Sequence, residues 1–196
     1  MINSMNPFLE SADFLQTVAE AAERNSETAE TLAGELTETQ LNWKPSVEQW
    51  SIAQCLEHLA VATNEFEKYF EEVLTKGRGR SPLTEAPRYK PSLLGGWLAK
   101  QVSPEATRKL SAPKILRPDS SNIQGSLAKF LQEQNKFLDF VRQTAGVDYN
   151  RTRLRSPVTP LIRYSLADAY VITVVHGQRH LAQAQRVREL PEFPRA

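Results

Sequence analysis

One stretch of the chain, residues 77–125, contains six of the twelve prolines and five of the eight glycines. Proline removes a backbone donor and clashes with the preceding helical turn, and glycine costs conformational entropy, so no long helix can continue through such a stretch. We therefore expect residues 77–125 to connect two helical halves of the chain. Within them, only Leu93–Val102 has the composition of a short helix.

Four segments outside this stretch carry apolar residues at helical spacing. The predicted helices span residues 7–36, 51–77, 126–145 and about 165–190. Asn6-Pro7 is typical of a helix start, with Asn6 as the capping residue. Ser51 is a suitable cap for the second helix, and Ser165 with Asp168 three residues later resembles a capping box for the fourth.

The arrangement of these segments predicts an all-α fold. No segment shows sustained two-residue alternation, so we expect no sheet and interpret Arg151–Pro160 as a basic loop. Long helices with one long connection are typical of a four-helix bundle with a crossover between helices two and three. We expect residues 1–196 to form a single domain, in which residues 77–125 are the crossover.

Charge and composition favour a protein that acts outside membranes and away from nucleic acid. The net charge is +1, although residues 77–125 carry nine basic and three acidic side chains. That basic segment could attract an anionic substrate or pair with another part of the surface. Cys55 is the only cysteine, the N-terminus lacks a signal-peptide pattern, and the apolar run Ala169–Val175 is too short for a bilayer. We therefore expect a cytoplasmic location.

The chain has three histidines, and their spacing suggests a metal site. His176 and His180 are four residues apart, which in a helix places them on one face about 6 Å apart. A third imidazole, from His58 on another helix, would complete a set of three protein ligands. Catalytic zinc sites typically have three ligands and an open position. The alternative is that each histidine is a hydrogen-bonded residue of the core.

Residues near the histidines offer further candidates. Cys55 and His58 form a Cys-x-x-His pair that could bind a metal, but Cys55 falls on the apolar stripe, which favours core packing. Gln54 and Gln183 lie within a turn of the histidines and could orient a ligand as outer partners, or could lie on the surface. Glu57 points away from His58, which favours a solvated position.

Basic and aromatic residues have other interpretations. Arg179 lies between the paired histidines and could contact a substrate carboxylate or form a surface ion pair. The basic residues of the crossover that could suggest single-stranded nucleic acid are Arg78, Arg80, Arg88 and Lys90, with Tyr89 among them. Aromatic residues are too sparse there for that function. Trp97 and Leu93-Leu94 are expected to cover the bundle end or to line a lid over the pocket.

Three patches resemble the DinB-like (DinB/YfiT) superfamily. They are Trp50–Ala60 (WSIAQCLEHLA), His176–Gln183 (HGQRHLAQ) and Leu41–Pro45 (LNWKP). The resemblance is specific in the first two patches and weak through residues 77–125. It implies a four-helix bundle, a divalent metal held by His58, His176 and His180, and frequently a homodimer.

The resemblance also sets the expected chemistry. Imidazole suits several metals, so ligand type does not select one; we expect zinc or nickel, with iron or manganese as alternatives. Characterised relatives include enzymes that use low-molecular-weight thiols. The leading hypothesis is a metal-dependent enzyme, a thiol transferase or a hydrolase, that activates a thiol or water toward a small electrophilic substrate. The rival is a non-catalytic metal-binding or structural dimerising module, which predicts no substrate-sized cavity beside the metal.

Overall fold

The computed structural model describes residues 4–78, 83, 85–107, 111–118, 122–159 and 161–195. The helices in these ranges are α1 (Asn6–Glu10), α2 (Phe14–Ala33), α3 (Glu38–Asn42), α4 (Ile52–Arg78), α5 (Leu93–Val102), α6 (Ser126–Gln143) and α7 (Leu166–Arg188). A 3₁₀ turn spans Lys114–Leu116, and two strands, β1 (Arg153–Arg155) and β2 (Arg163–Ser165), precede α7. None of the described helices has both the length and the apolar character that a bilayer crossing needs.

The four long helices form the predicted four-helix bundle, with the long crossover between α4 and α6. Helix α4 packs between α6 and α7, and α2 packs against the same two helices from the other side. Two apolar clusters fill the bundle. Phe14, Phe70, Phe137 and Tyr170 are members of the first cluster, and Leu32, Leu56, Phe130 and Leu181 are members of the second. The apolar core is therefore divided into two clusters along the bundle.

The first predicted helix, residues 7–36, is wrong as a single element. The backbone leaves the helical region at Asp13, which has φ −119° and ψ 90°, and the Asp13 side chain accepts a hydrogen bond from Gln16 N at 3.1 Å. An internal cap of this kind ends α1 and starts α2, because it satisfies a backbone donor at the new helix end. Asn6 is the first residue of α1 rather than its cap, a position that Met5 takes.

The expectation of no sheet is also wrong. Residues Arg151–Pro160, predicted as a loop, contain β1, which pairs antiparallel with β2 so that Leu154 lies opposite Tyr164. Both side chains are buried against the bundle. Strands of three residues are too short to produce a recognisable alternating pattern. The hairpin leads directly into α7, because Ser165 ends β2 and also caps α7 in the predicted capping box with Asp168.

The crossover is attached to the start of α7 through its short helix, α5, which has the predicted bounds. Asp168 accepts hydrogen bonds from Tyr89 OH at 2.9 Å and from Ser92 N at 3.2 Å. Helix α5 turns its small residues toward α7, while Leu93 and Trp97 are 97% and 56% exposed. The expectation that Trp97 and Leu93-Leu94 cover the bundle end is therefore wrong, because the buried small residues Gly95 and Ala99 make the contact of α5 instead.

Candidate metal centre

The structure brings all three histidines together. His58 lies on α4, and His176 and His180 lie on α7, the helix that packs beside it. One ring nitrogen from each histidine lies within 4.8 Å of the other two. The Nε2 atoms of His58 and His176 are 3.2 Å apart. Three imidazoles from two helices therefore converge on one point.

The two helix starts fix this alignment. In α4, Gln54 N donates to Ser51 Oγ and Ser51 N donates to Gln54 Oε1, both at 3.1 Å, so the two residues form a capping box. The cap sets the start of α4 two turns before His58. In α7, the box of Ser165 and Asp168 has the same role, and the paired histidines follow on the face turned toward α4.

Two of the histidines have an outer hydrogen-bond partner that defines their tautomer. The Nδ1 atom of His58 lies 2.6 Å from the carbonyl oxygen of Leu116, and Nδ1 of His180 lies 3.0 Å from Oε1 of Gln183. Because both oxygens can only accept, each Nδ1 carries the proton and each Nε2 presents a lone pair. Partners of this kind orient metal-binding histidines in proteins.

The donor set fits a single small cation. Zinc binds imidazole nitrogen at about 2.0–2.1 Å in a tetrahedral arrangement, which places two ligand nitrogens about 3.3 Å apart. The 3.2 Å between Nε2 of His58 and Nε2 of His176 matches that spacing. A divalent cation is therefore the group that this site suits best, and His58, His176 and His180 are the residues that would hold it.

The environment keeps the histidines neutral, which is the form that binds metal. Burial lowers the pKa of His58, although its contact with the Leu116 carbonyl opposes this shift. Burial, with repulsion from His180, His58 and Arg179, lowers the pKa of His176 well below its ordinary value. Burial, with repulsion from His58, lowers the pKa of His180 to about 3. All three rings are therefore uncharged near neutral pH.

Trp50 forms one wall of the site. Its ring lies 4.9 Å from the ring of His58 and 5.6 Å from that of His180, with an interplanar angle of 25° to His180. His58 is buried, whereas His176 and His180 are partly exposed, so the site opens to solvent on the α7 side. The sequence indicated Trp50 only as part of the pattern that starts helix two. The feature of the sequence that could have placed Trp50 near the site is its position directly before Ser51, the cap of the helix that carries His58.

A small, partly open cavity lies beside His176 and is lined mostly by buried residues. Its volume is about 20 Å³, which is room for one or two water molecules. The lining residues are Leu59, Ala62, Thr63, Phe66, Phe130, Gln134, Ile172, Thr173, His176 and Gly177. Sequence reasoning did not identify this cavity, because its polar members come from three helices that are far apart in the chain.

The structure shows where Cys55, Gln54 and Gln183, the uncharged candidates near the histidines, lie. Cys55 is fully buried in the second apolar cluster, and burial raises the pKa of its thiol to about 12. Among the described residues, the group of side chains close enough to share a cation contains the three histidines and not Cys55. The Oε1 atom of Gln54 accepts from Ser51 in the cap of α4, whereas Gln183 contacts His180 directly. The structure thus places Gln183 as an outer partner of His180.

The charged candidates have structural contacts. Glu57 pairs with Lys129 of α6 at 2.5 Å. Arg179 donates from Nη1 to the carbonyl oxygens of Ser103 and Ala106, at 2.9 and 3.0 Å, and so holds the segment after α5 against α7. The structure thus shows Arg179 binding backbone carbonyls. Arg80, one of the basic residues of the crossover, lies outside the described residues, as do the side chains of residues 77 and 78.

The fold and the site define a class: helical-bundle proteins in which facing helices bring three histidines together. A family model described as the DinB superfamily matches residues 21–184, and the chain belongs to that superfamily. No curated protein matches the chain. Among solved structures, YfiT from Bacillus subtilis is similar, with 18% sequence identity and a TM-score of 0.56 over 91% of this chain and 89% of YfiT. YfiT is described as a probable metal-dependent hydrolase with an unusual four-helix bundle topology.

Proposed function

We propose that His58, His176 and His180 hold one divalent cation, zinc or nickel, and that the site hydrolyses a small electrophilic substrate. The observation that carries this proposal is the convergence of three neutral imidazoles within 4.8 Å, with Nε2 lone pairs of His58 and His180 directed by Leu116 and Gln183. A hydrogen-bonded core would not need three histidines at this separation. A shared cation accounts for all of them.

The residues of the chain have distinct roles in this proposal. A zinc ion held by His58, His176 and His180 would act as a Lewis acid and would lower the pKa of a bound water to about 7. The Leu116 carbonyl and the Gln183 amide hold the rings of His58 and His180 in the binding orientation. Trp50 covers one side of the rings and limits access of bulk water. The partly exposed side of His176 and His180 is the side from which a substrate can approach.

Hydrolysis is supported over thiol transfer by one observation. The similar structure YfiT is described as a probable metal-dependent hydrolase. A low-molecular-weight thiol bound at the same open position is the second proposal, because it requires the same three ligands. The two differ in whether the reaction depends on added thiol.

The test is an activity screen on protein purified without a histidine tag. Zinc, nickel and manganese forms are assayed with small esters, amides and alkyl electrophiles, each with and without a glutathione-like thiol. Hydrolysis predicts turnover without thiol, and transfer predicts turnover only with it. The His176→Ala variant is expected to lose at least about 100-fold in rate, whereas Gln178→Ala, a change on the same helix, should retain it. Turnover in no form above His176→Ala would contradict the enzymatic proposal.

A non-catalytic metal-binding or structural dimeric module is the alternative function. It is favoured by the cavity volume of about 20 Å³, which admits water but no larger substrate group from the bundle side. This alternative predicts a homodimer whose mass, measured by light scattering, is the same with and without metal. It also predicts that cells tolerate His58→Ala. A clear defect in cells that carry His58→Ala, with the variant protein still folded, would contradict this alternative.

A further inference from the structure

A layer of buried polar side chains separates the two apolar clusters of the bundle. It contains Asn25, Thr63, Gln134 and Thr173, one from each of α2, α4, α6 and α7, and each is at most 9% exposed. Uncharged polar groups are costly in a bundle core unless they are hydrogen-bonded. The hydrogen-bond partners of these four side chains therefore need to be identified.

Protein contacts account for part of this layer. Asn25 Nδ2 donates to the Val174 carbonyl at 3.0 Å, and Thr173 Oγ1 donates to the Ala169 carbonyl at 2.9 Å. Gln134 Nε2 lies at a longer 3.4 Å from the Ala22 carbonyl. These bonds use donors, so the oxygen of Thr173 can still accept from a further group.

Three members of the layer, Thr63, Gln134 and Thr173, line the small cavity together with His176. A buried water needs two to four polar partners and about 10–15 Å³ of space for its centre. The cavity, at about 20 Å³, meets the space requirement and offers polar side chains from α4, α6 and α7. The cavity thus has the properties of a water site.

His176 differs from the other two histidines in its outer contacts. Its Nε2 atom faces Nε2 of His58, so its other ring nitrogen, Nδ1, is the one left for an outer partner. His58 has the Leu116 carbonyl and His180 has Gln183, but among the described residues the structure gives Nδ1 of His176 no protein partner. Metal-binding histidines almost always donate this N–H to a carboxylate, a carbonyl or a water.

We propose that this cavity is a water site, in which a water accepts the Nδ1–H of His176 and donates to the side-chain oxygen of Gln134. Thr63 and Thr173 supply the remaining hydrogen-bond positions around that water. Gln134 is then a positioning residue for His176, although it does not touch the cation. This inference rests on the proposed metal site, since it completes the outer partners of the three ligands.

The variants that test it are Gln134→Met and Gln132→Met. Methionine has nearly the shape of glutamine but lacks its amide. Gln132 is an exposed residue two positions earlier in α6, so its variant is the matched control. Zinc affinity, measured by competition with a chelator, is expected to fall about 10-fold in Gln134→Met, because loss of an outer partner typically costs 10–100-fold. Gln132→Met should bind zinc as the parent does.

Two further readouts separate positioning from simple destabilisation. Nitrogen-15 spectra of the imidazoles should show a changed Nδ1–H signal for His176 alone in Gln134→Met, with those of His58 and His180 preserved. A crystal structure of the unsubstituted protein should show an ordered water within hydrogen-bond distance of His176 Nδ1 and of the Gln134 side chain. A cavity without that water, or equal zinc affinity in the two variants, would overturn the inference.

The experiments also distinguish failure of the proposed metal site from failure of the proposed water site. If the unsubstituted protein binds no divalent ion, the proposed function fails, and the crystal structure alone then decides about the water. A water bonded to His176 Nδ1 and Gln134 would still support the water site. A dry cavity, or a direct bond from His176 Nδ1 to Thr173, would overturn it.

Discussion

Nε2 of His58 lies 3.2 Å from Nε2 of His176, although 118 residues separate the two in the chain. Adjacent packing of α4 and α7 brings them together, and the crossover contributes the Leu116 carbonyl that fixes the His58 ring. Two lone pairs at this distance repel each other unless a proton or a cation lies between them. The packing of α4 against α7 therefore creates a position between the two Nε2 atoms that a proton or a cation would stabilise.

Gln183 is expected to control metal affinity through His180. Gln183→Met removes the acceptor for Nδ1 of His180 and should weaken zinc binding about 10-fold, within the range typical of outer partners. Gln185→Met is the control on the same helix, because Gln185 is exposed and bonds Glu189 instead. Isothermal titration with zinc measures both variants. Equal affinities would show that the Gln183 contact does not orient the ring.

Trp50 is expected to report metal binding by its fluorescence. A cation bound to the imidazoles of His58 and His180 changes the electric field at the Trp50 ring, which lies 4.9 and 5.6 Å from the two rings. Titration with zinc should change the emission of the protein, and Trp50→Phe should abolish the change. Trp43→Phe is the control, since Trp43 packs against Phe193. A response that persists in Trp50→Phe would place the cation elsewhere.

The metal-free protein is expected to lose stability as the pH falls below about 6.5. The pKa values of His58, His176 and His180 are lowered in the fold, so the unfolded chain takes up protons at a pH where the folded chain does not. The contribution of the neutral histidines to the free energy of unfolding is thus fully present above pH 6.5. It is lost as the pH falls from 6.5 toward the pKa values of the histidines in the folded protein. Because the pKa of His180 is about 3 in the folded protein, this residue alone should lower the free energy of unfolding by about 2 kcal/mol between pH 6.5 and pH 5.

Urea unfolding at pH 7.5, 6 and 5 measures this effect before most carboxylates titrate. The midpoint should fall steadily over this range, and the fall should be smaller in His180→Gln, which keeps a polar side chain but cannot be protonated. A midpoint that is unchanged, or that rises at pH 5, would mean that the histidines are not held neutral.

Gly95 is expected to be required for the contact between α5 and α7. A Cβ atom there would lie 2.3 Å from Cγ of Asp168, whose carboxylate is held by Ser165, Tyr89 and Ser92. Gly95→Ala should therefore destabilise the protein by about 2 kcal/mol or more, although alanine favours a helix by about 1 kcal/mol. Gly96→Ala is the comparison on the same helix and should cost less, because its Cβ would meet only the Pro91 ring, at 3.0 Å. Thermal unfolding compares them, and equal stability would contradict the close packing.

Much of the fold and the site could be predicted from periodicity and spacing. The four long helices follow apolar stripes of 18 to 27 residues, long enough for the helical period to be recognised. His176 and His180 share a face through their spacing alone. The convergence of His58 with them required the likeness of Trp50–Ala60 to a known family, since spacing along the chain cannot show which helices pack together.

Other features could not be predicted because they depend on tertiary contacts or on short elements. The Leu116 contact uses a backbone carbonyl, which every residue has, so no side-chain pattern indicates it. Asp13 interrupts the first helix with a local cap inside an otherwise continuous stripe. The hairpin of β1 and β2 has three residues in each strand. Gln134 resembles an ordinary helix residue until α4 and α7 surround it.

Metal content tests the central claim most directly. Protein purified without a histidine tag is dialysed against zinc, freed of excess ion and measured by elemental analysis beside His176→Ala. We predict about one zinc per chain in the unsubstituted protein and close to none in the variant, because three imidazoles from α4 and α7 form the site. No bound zinc in the unsubstituted protein, or the same amount in both, would contradict it.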